Sequence, residues 1–359
     1  MPDRPTILVT ACGSSIGLEV LRCLKLAHRN ERIIGTEVSA WGKQLALPYC
    51  DEVIIVPRGD APKYVNKLTN VFESENVALA FINTEPELEA IYPVRDQIQT
   101  ALSCPAQFGL TACLSKQVLH ERLSQQSNIT AKTMVVDDAQ DLETALQTLG
   151  SPVWLRCAVG PRGRGSIVIK TAAEGAFWIE YWRKQNTADA HDVWLAHEYL
   201  PGRNLNWTSV WNNGKLVAAA AGERLKYFMA EVAISGVTGN VSRCQLIDSS
   251  EIHDTAIQAV TLADDHPHGI YAVDLREDAN GVARVTEINA RNAFRPLLYA
   301  AGGVNFPAIL VASLLGNDDS ADDFNYQQIT LGLEMVRGMD FAPMFRETSD
   351  TPWRALSYE

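Results

Sequence analysis

The chain is most easily approached through what it lacks. No run of 18 apolar residues occurs in its 359 positions, so no transmembrane helix is expected. The opening MPDRPTILVT passes straight into an apolar strand without the long hydrophobic region of a secretory leader. The seven cysteines (Cys12, Cys23, Cys50, Cys104, Cys113, Cys157 and Cys244) are odd in number and form no C-x-x-C pair. That excludes a disulfide framework and a zinc knuckle, and it predicts free thiols in a reducing cytoplasm. Positive charge is in deficit, with 31 Lys and Arg against 43 Asp and Glu and a net charge of −12. Nonspecific binding to nucleic acid or to an anionic membrane is excluded on that balance, although a local basic pocket for phosphates is compatible with it. There is no Gly-Lys-Ser/Thr after a glycine loop, no Tyr-x-x-x-Lys, no His-Glu-x-x-His, no repeat and no low-complexity segment.

What is present fits a compact protein of two or three domains, with 47% hydrophobic and 21% charged residues. The first hundred residues alternate strand and helix. Strands are expected at Thr6–Thr10, Arg32–Thr36, Glu52–Val56 and Val77–Ile82, and helices at Ile16–Leu26, Tyr64–Glu75 and Glu85–Ile98. Such units wind into a parallel sheet whose carboxyl-end loops carry ligands. The middle has helices at Ser115–Gln125 and Asp141–Leu149. Its strands are Thr133–Val136, Val153–Arg156, Ser166–Lys170 and Trp194–Tyr199. Beyond Pro201-Gly202 the signals turn antiparallel. Asn213-Gly214 joins Trp207–Trp211 to Leu216–Ala221, and Asn280-Gly281 joins Gly269–Leu275 to Val282–Asn289. Helices Ile252–Ala263 and Val304–Leu315 complete the reading, and the last twenty residues read as a tail.

Three constellations could carry chemistry. Thr10-Ala11-Cys12-Gly13-Ser14-Ser15-Ile16-Gly17 lies at a strand-to-helix junction, with Glu37 about 20 residues on, where a ribose-binding acid would sit. Two of the three fingerprint glycines are absent, so this turn reads first as a packing device. In the second, Arg156 is followed by Gly160, Arg162, Gly163, Arg164, Gly165 and Ser166. A glycine-rich hairpin of this kind can fold over a triphosphate while its arginines neutralise charge; the competing reading is a solvated basic loop. The third pairs Asp274 with Glu287-Ile288-Asn289-Ala290-Arg291. The strand period of two puts Glu287, Asn289 and Arg291 on one face. A two-residue turn at Asn280-Gly281 pairs Ala279 with Val282, and counting back sets Asp274 opposite Glu287. Opposed acids repel unless a cation lies between them, and two carboxylates with an amide oxygen suit Mg2+ beside nucleotide phosphates. Arg291 would face a phosphate or carboxylate. The competing reading is a structural ion-pair cluster with Arg276. His266 and His268, flanking Pro267, read as turn residues.

Taken together, the α/β order, Arg156 with its glycine-rich hairpin, the strand His197-Glu198-Tyr199-Leu200-Pro201-Gly202, and Asp274 with Glu287-Ile288-Asn289-Ala290-Arg291 resemble the ATP-grasp superfamily. The likeness is to stand-alone proteins similar to the carbamoyl-phosphate synthase large chain, over roughly residues 5 to 315. It implies a doubly wound α/β domain at 1–112, a lid subdomain at 113–203 and a catalytic subdomain at 204–340, with a tail at 341–359. It implies that Lys116 and Arg156 contact the phosphates of ATP under a flexible lid running from Gly160 to Ser166, with Gly163, Arg164, Gly165 and Ser166 against the nucleotide. By the same likeness Glu198, Tyr199 and Leu200 hold adenine. Asp274, Glu287 and Asn289 bind Mg2+, with two ions expected, and Arg291 and Arg156 act on the transferring phosphoryl group. Asn204 stands where such proteins carry a ribose-binding Glu, and Arg156 where many carry Lys. From position, Arg224, Ser235, Gly236 and Arg295 are expected at the acceptor site. The expected activity is a cytoplasmic, ADP-forming ligase that activates a carboxylate as an acyl phosphate and couples it to an amine or ammonia, with a homodimer as the expected assembly. The alternatives are an NAD-dependent oxidoreductase built on the N-terminal turn and a nucleotide-binding protein without turnover.

Overall fold

A computed structural model of the chain describes residues 4–27, 30–125, 128–159, 165–185, 193–316, 329–338, 344–348, 350–351 and 354–355. Three sheets organise it. The first is parallel and runs β3-β2-β1-β4-β5, with strands β1 (Thr6–Val9), β2 (Arg32–Glu37), β3 (Glu52–Ile55), β4 (Val77–Phe81) and β5 (Ala101–Leu102). The order reverses between β1 and β4, which opens a crevice at their carboxyl ends. Helices α1 (Ser15–Leu26), α2 (Ala40–Ala46), α3 (Tyr64–Ser74) and α4 (Glu85–Ile91) make the crossovers. The expected helix to Ile98 stops at Ile91 and tightens into a 3-10 turn over Tyr92–Gln97, because Pro93 cannot donate to the α-helical ladder.

Helices α5 (Gln107–Leu114) and α6 (Lys116–Ser124) bend about Ser115, whose side chain caps α6. The second sheet, β6-β9-β7-β8, is antiparallel and is built from β6 (Thr133–Val136), β7 (Val153–Cys157), β8 (Ile167–Ile169) and β9 (Trp194–Glu198). It is backed by α7 (Ala139–Leu149) and α8 (Ala172–Gln185). The expected α7 is found with two more residues at its start, because Asp138 caps it. Helix α8 escapes the sequence pattern because its outer face carries Phe177, 67% exposed, and Tyr181, 45% exposed, in place of polar residues.

The third sheet has β10 (Asn204–Asn212), β11 (Lys215–Tyr227), β12 (Val241–Ile247), β13 (Gly269–Glu277), β14 (Ala283–Asn289) and the short β15 (Glu334–Val336), β16 (Met344–Arg346) and β17 (Arg354–Ala355). Its order is β14-β13-β10-β11-β12-β15-β16-β17. Helices α9 (His253–Ala263), α10 (Pro296–Ala301) and α11 (Phe306–Leu315) pack on it. Part of the segment read as a tail thus supplies strands at the sheet edge.

The β13–β14 hairpin reaches the expected pairing by a different route. Its turn spans three residues, closed where Asp278 N–H donates to Val282 O at 2.9 Å, and Gly281 takes the left-handed φ of 78° that this loop type needs. That shifts every pair by one, so Leu275 faces Val285. A bulge at Thr286 then shifts the ladder back, and Asp274 lies opposite Glu287. The first and third sheets share one apolar core, in which Ile7, Val20, Leu21 and Phe81 meet Val210, Ala218, Leu297 and Leu310. Among the described residues no helix is long and apolar enough to cross a membrane.

Candidate active site

The site is built outward from the β13–β14 hairpin. Asp274 Oδ1 accepts from Asn206 Nδ2 on β10 at 2.7 Å and from Arg224 Nη2 on β11 at 2.6 Å. Burial opposes the Arg224 charge, yet Asp274 and Tyr227 outweigh it and hold the guanidinium protonated above its ordinary range. The cation beside Asp274 is therefore Arg224 and not Arg276. Glu287 Oε2 lies 3.7 Å from both Lys116 Nζ on α6 and Arg156 Nη1 on β7. Burial pushes the Glu287 pKa up, but Lys116, Arg156 and Arg291 together leave it below the usual carboxylate range, so it is an anion at neutral pH. Asn289 follows on the same face. Ala290 is buried in the apolar cluster of the first sheet that also holds Leu88 and Ile91, which fixes the chain between Asn289 and Arg291.

One cleft brings together Lys116, Arg156, Ser166, Glu198, Tyr199, Leu200, Asn204, Arg224, Asp274, Glu287, Asn289 and Arg291. Glu198 Oε1 accepts from Lys132 N–H at 2.9 Å, which ties the end of β9 to the start of β6. Asn204 is engaged on both ends: its Oδ1 accepts from Arg224 at 2.9 Å and its Nδ2 donates to the Tyr227 hydroxyl at 2.8 Å. Five cations line this cleft (Lys116, Arg156, Arg224, Arg276 and Arg291) against three acids (Glu198, Asp274 and Glu287), in a chain whose net charge is −12. A concave site with that local surplus suits a polyanion.

Several expectations need correction. Arg295 does not reach the cleft. Its side chain is 3% exposed and donates to Glu19 of α1 at 2.7 Å, an ion pair sealed between the first and third sheets. Ser235 and Gly236 lie on the right loop but outside the cleft wall, which Val237 and Gly239 supply instead. Gly165 is also set back, with its carbonyl accepting from the Trp178 indole at 2.7 Å. Gly163 and Arg164 lie outside the described residues. The N-terminal turn is closed by its own chain: Glu37 accepts from the N–H groups of Gly13 and Val38, and a Cβ on Gly13 would meet the backbone of Gly42. The acid expected to hold a ribose is thereby consumed. Gly13-Ser14-Ser15-Ile16-Gly17 also has the spacing of a hydrolase elbow, but Ser15 is exposed and makes no hydrogen bond to a histidine among the described residues. His268 behaves as a turn residue, its Nδ1 accepting from Asn213 N–H at 3.3 Å.

Four further residues line the cleft without having been expected there, His197, Trp154, Tyr227 and Thr286, and Arg276, expected only as an ion-pair partner, joins them. The signal was available for one of them, since the period of two from Arg156 along β7 leads to Trp154. Tyr227 required knowing that β11 runs past Ala221, which it does because β12 pairs with it.

The donor set can be tested against a divalent cation. Asp274 and Glu287 face each other, Asn289 adds an amide oxygen, and Asp274 Oδ2 carries no hydrogen bond among the described residues. Oxygen donors of this kind fit Mg2+. No group of three or more His, Cys, Asp or Glu that could hold a metal occurs among the described residues, so a site here would depend on the amide as its third protein donor.

No family model matches the sequence, and no curated protein matches it. Solved structures do match. A biotin carboxylase from Campylobacter jejuni, in complex with beta-gamma-ATP, aligns with a TM-score of 0.72 at 15% identity, covering 93% of this chain and 76% of that one. The biotin carboxylase domain dimer of the Hydrogenobacter thermophilus 2-oxoglutarate carboxylase, in complex with MgADP, ADP and bicarbonate, gives 0.69 at 13% identity over 92% and 74%. An L-amino acid ligase from Bacillus licheniformis gives 0.67 at 12% identity over 93% and 79%. Likeness at these identities speaks to architecture, and with the three sheets described above it establishes that the chain has the ATP-grasp fold.

Proposed function

We propose that this chain is an ATP- and Mg2+-dependent ligase that activates a carboxylate as an acyl phosphate and passes it to an amine or ammonia, releasing ADP and phosphate. The observation that carries the reading is the convergence of Lys116, Arg156, Arg224 and Arg291 on the Asp274–Glu287 pair in one cleft. A carboxylate is a poor electrophile because its leaving group would be oxide, and transfer of the γ-phosphoryl group turns that oxygen into phosphate. Charge on the transferring group is the main obstacle, and preorganised cations are what lowers it. Lys116 and Arg156 hold the phosphates, and Arg291 faces the group in transfer. Asp274, Glu287 and Asn289 would hold Mg2+, which supplies charge neutralisation between phosphates. Glu198, Tyr199 and Leu200 form the adenine wall, and Arg224 reaches the acceptor side. The solved structures of similar fold support nucleotide and Mg2+ here, since one is a complex with MgADP, and that same structure is a dimer, which supports a homodimer.

Hydroxylamine trapping tests the chemistry. A library of carboxylates and amines is screened for ADP release, and the active carboxylate is then turned over with hydroxylamine. A hydroxamate with ADP and phosphate is expected; AMP and pyrophosphate would overturn the acyl-phosphate step. A nucleotide-binding chain without turnover is the second reading, favoured by Asn204 being occupied by Arg224 and Tyr227 where a ribose contact was expected. It predicts ATP binding with no ADP release for any pair.

A further inference from the structure

The Arg156 guanidinium is anchored at two of its nitrogens. Its Nη2 donates at 2.7 Å to the carbonyl of Thr286, the residue that the bulge in β14 pushes out of the ladder. Its Nε donates to Nε2 of His197 on β9 at 3.0 Å. Only Nη1 is left facing Glu287, at 3.7 Å.

Proton bookkeeping decides the state of the imidazole. An arginine has donors and no acceptor, so the N–H of Arg156 Nε requires a lone pair on His197 Nε2. The ring proton therefore sits on Nδ1, which donates to Thr133 Oγ1 at 2.7 Å, and that hydroxyl donates onward to Ala131 O at 2.9 Å. The chain of bonds is self-consistent for a neutral His197 and fails for an imidazolium, which would set N–H against N–H. The surroundings enforce neutrality. His197 is 3% exposed, and burial, then Arg156, then the His120 ring at 4.8 Å, and then Lys116 keep its pKa well below the usual histidine value.

We propose that His197 is a positioning residue for the phosphate-binding arginine: as a neutral acceptor it sets the rotation of the Arg156 guanidinium so that the Nη1 edge, and not Nε, is presented to the nucleotide. The inference rests on the nucleotide-binding reading given above and extends it to a residue outside the cation set. It makes Arg156 and His197 a matched pair. A lysine at 156 has no Nε–H to satisfy and would make the histidine dispensable.

The test measures ATP affinity by titration calorimetry on the full chain. His197→Leu, which removes the acceptor at similar bulk, is expected to weaken ATP binding by at least about tenfold, the loss typical of a hydrogen bond to a charged group. His197→Gln keeps an acceptor and is expected to stay within about threefold of wild type. In an Arg156→Lys background the leucine substitution is expected to change affinity by less than about twofold. Equal affinity of wild type and His197→Leu would overturn the proposal, as would an undiminished loss in the Arg156→Lys background, which is what a purely structural histidine gives. If His197→Leu does not fold, the ring nitrogens of the wild type decide the matter by 15N NMR: Nδ1–H with bare Nε2 is expected, and a protonated Nε2 overturns it. A wild-type chain that shows this tautomer but binds no ATP would overturn the functional reading and, with it, the positioning role.

Discussion

Replacing Arg295 by Met removes one half of the most deeply buried ion pair described here. Both side chains are 3% exposed, so little solvent screening discounts the interaction. Arg295 donates to Glu19 Oε1 at 2.7 Å and to Phe294 O at 2.6 Å, while Glu19 Oε2 also accepts from Leu297 N–H at 3.4 Å. After the substitution Glu19 keeps that backbone donor alone. Breaking a buried pair from one side costs roughly 3–5 kcal/mol, because the surviving charge is left without water or a directly paired cation. Arg337, whose own charge feels Glu19, offsets part of this, which places the expectation at about 3 kcal/mol. Adding Glu19→Gln removes the stranded charge and is expected to restore at least about half of the loss. Urea unfolding followed by tryptophan fluorescence measures both variants against wild type. A loss below about 1 kcal/mol for Arg295→Met would refute the claim that the pair joins the two sheets. A tenfold rise in the KM of the folded variant for the acceptor found by the screen would return Arg295 to the acceptor site.

Glu287→Gln is expected to lower ADP release by at least ~100-fold at saturating Mg2+ without loss of fold by circular dichroism, and undiminished turnover would show that the acid is structural. Acid should weaken the fold through His120, whose pKa burial, Arg156 and Lys116 push down to about 3, and through His197. Both stay neutral when folded and take a proton near pH 6.5 when unfolded, so stability is lost as pH falls below about 6.5, by roughly 2–3 kcal/mol for the pair between pH 7 and 5.5. A His120→Gln variant that keeps the whole slope in urea unfolding contradicts that assignment. Gly13→Ala is expected to cost roughly 1–3 kcal/mol by the same measure, since its Cβ has no room against Gly42, and a neutral outcome would reopen the N-terminal turn as a ligand cradle.

Much of this architecture was readable in advance where a local signal coincided with a tertiary requirement. The parallel βα units of the first sheet and the turn residues Asn213-Gly214 and Asn280-Gly281 are of that kind, as is the Glu287-x-Asn289-x-Arg291 spacing. The opposition of Asp274 and Glu287 was anticipated through a two-residue turn, but it is produced by a three-residue turn and a compensating bulge at Thr286. Neither departure has a strong sequence mark. Arg295 and Arg224 look alike in the sequence, yet one is consumed by Glu19 and the other faces the cleft. Charge type alone cannot separate them, because their fate depends on a helix nearly 300 residues away in the first case and on an acid two strands across the sheet in the second.

The insertion of Ala290 into the core beneath the first sheet bears on whether this machinery can be taken apart. Asn289 and Arg291 flank a residue buried in the same apolar cluster as Leu88 and Ile91, and the third sheet completes its own interior with Ile7, Val20 and Phe81. A fragment starting near residue 113 would therefore lose more than an attached domain. It would expose a hydrophobic plug just past the end of β14 and release the two side chains held on either side of it. The part from residue 113 onward is not a cassette that could be grafted onto another N-terminal domain. New specificity would have to be evolved with both halves in place, by changing the loops around the cleft and leaving the seam between the halves intact.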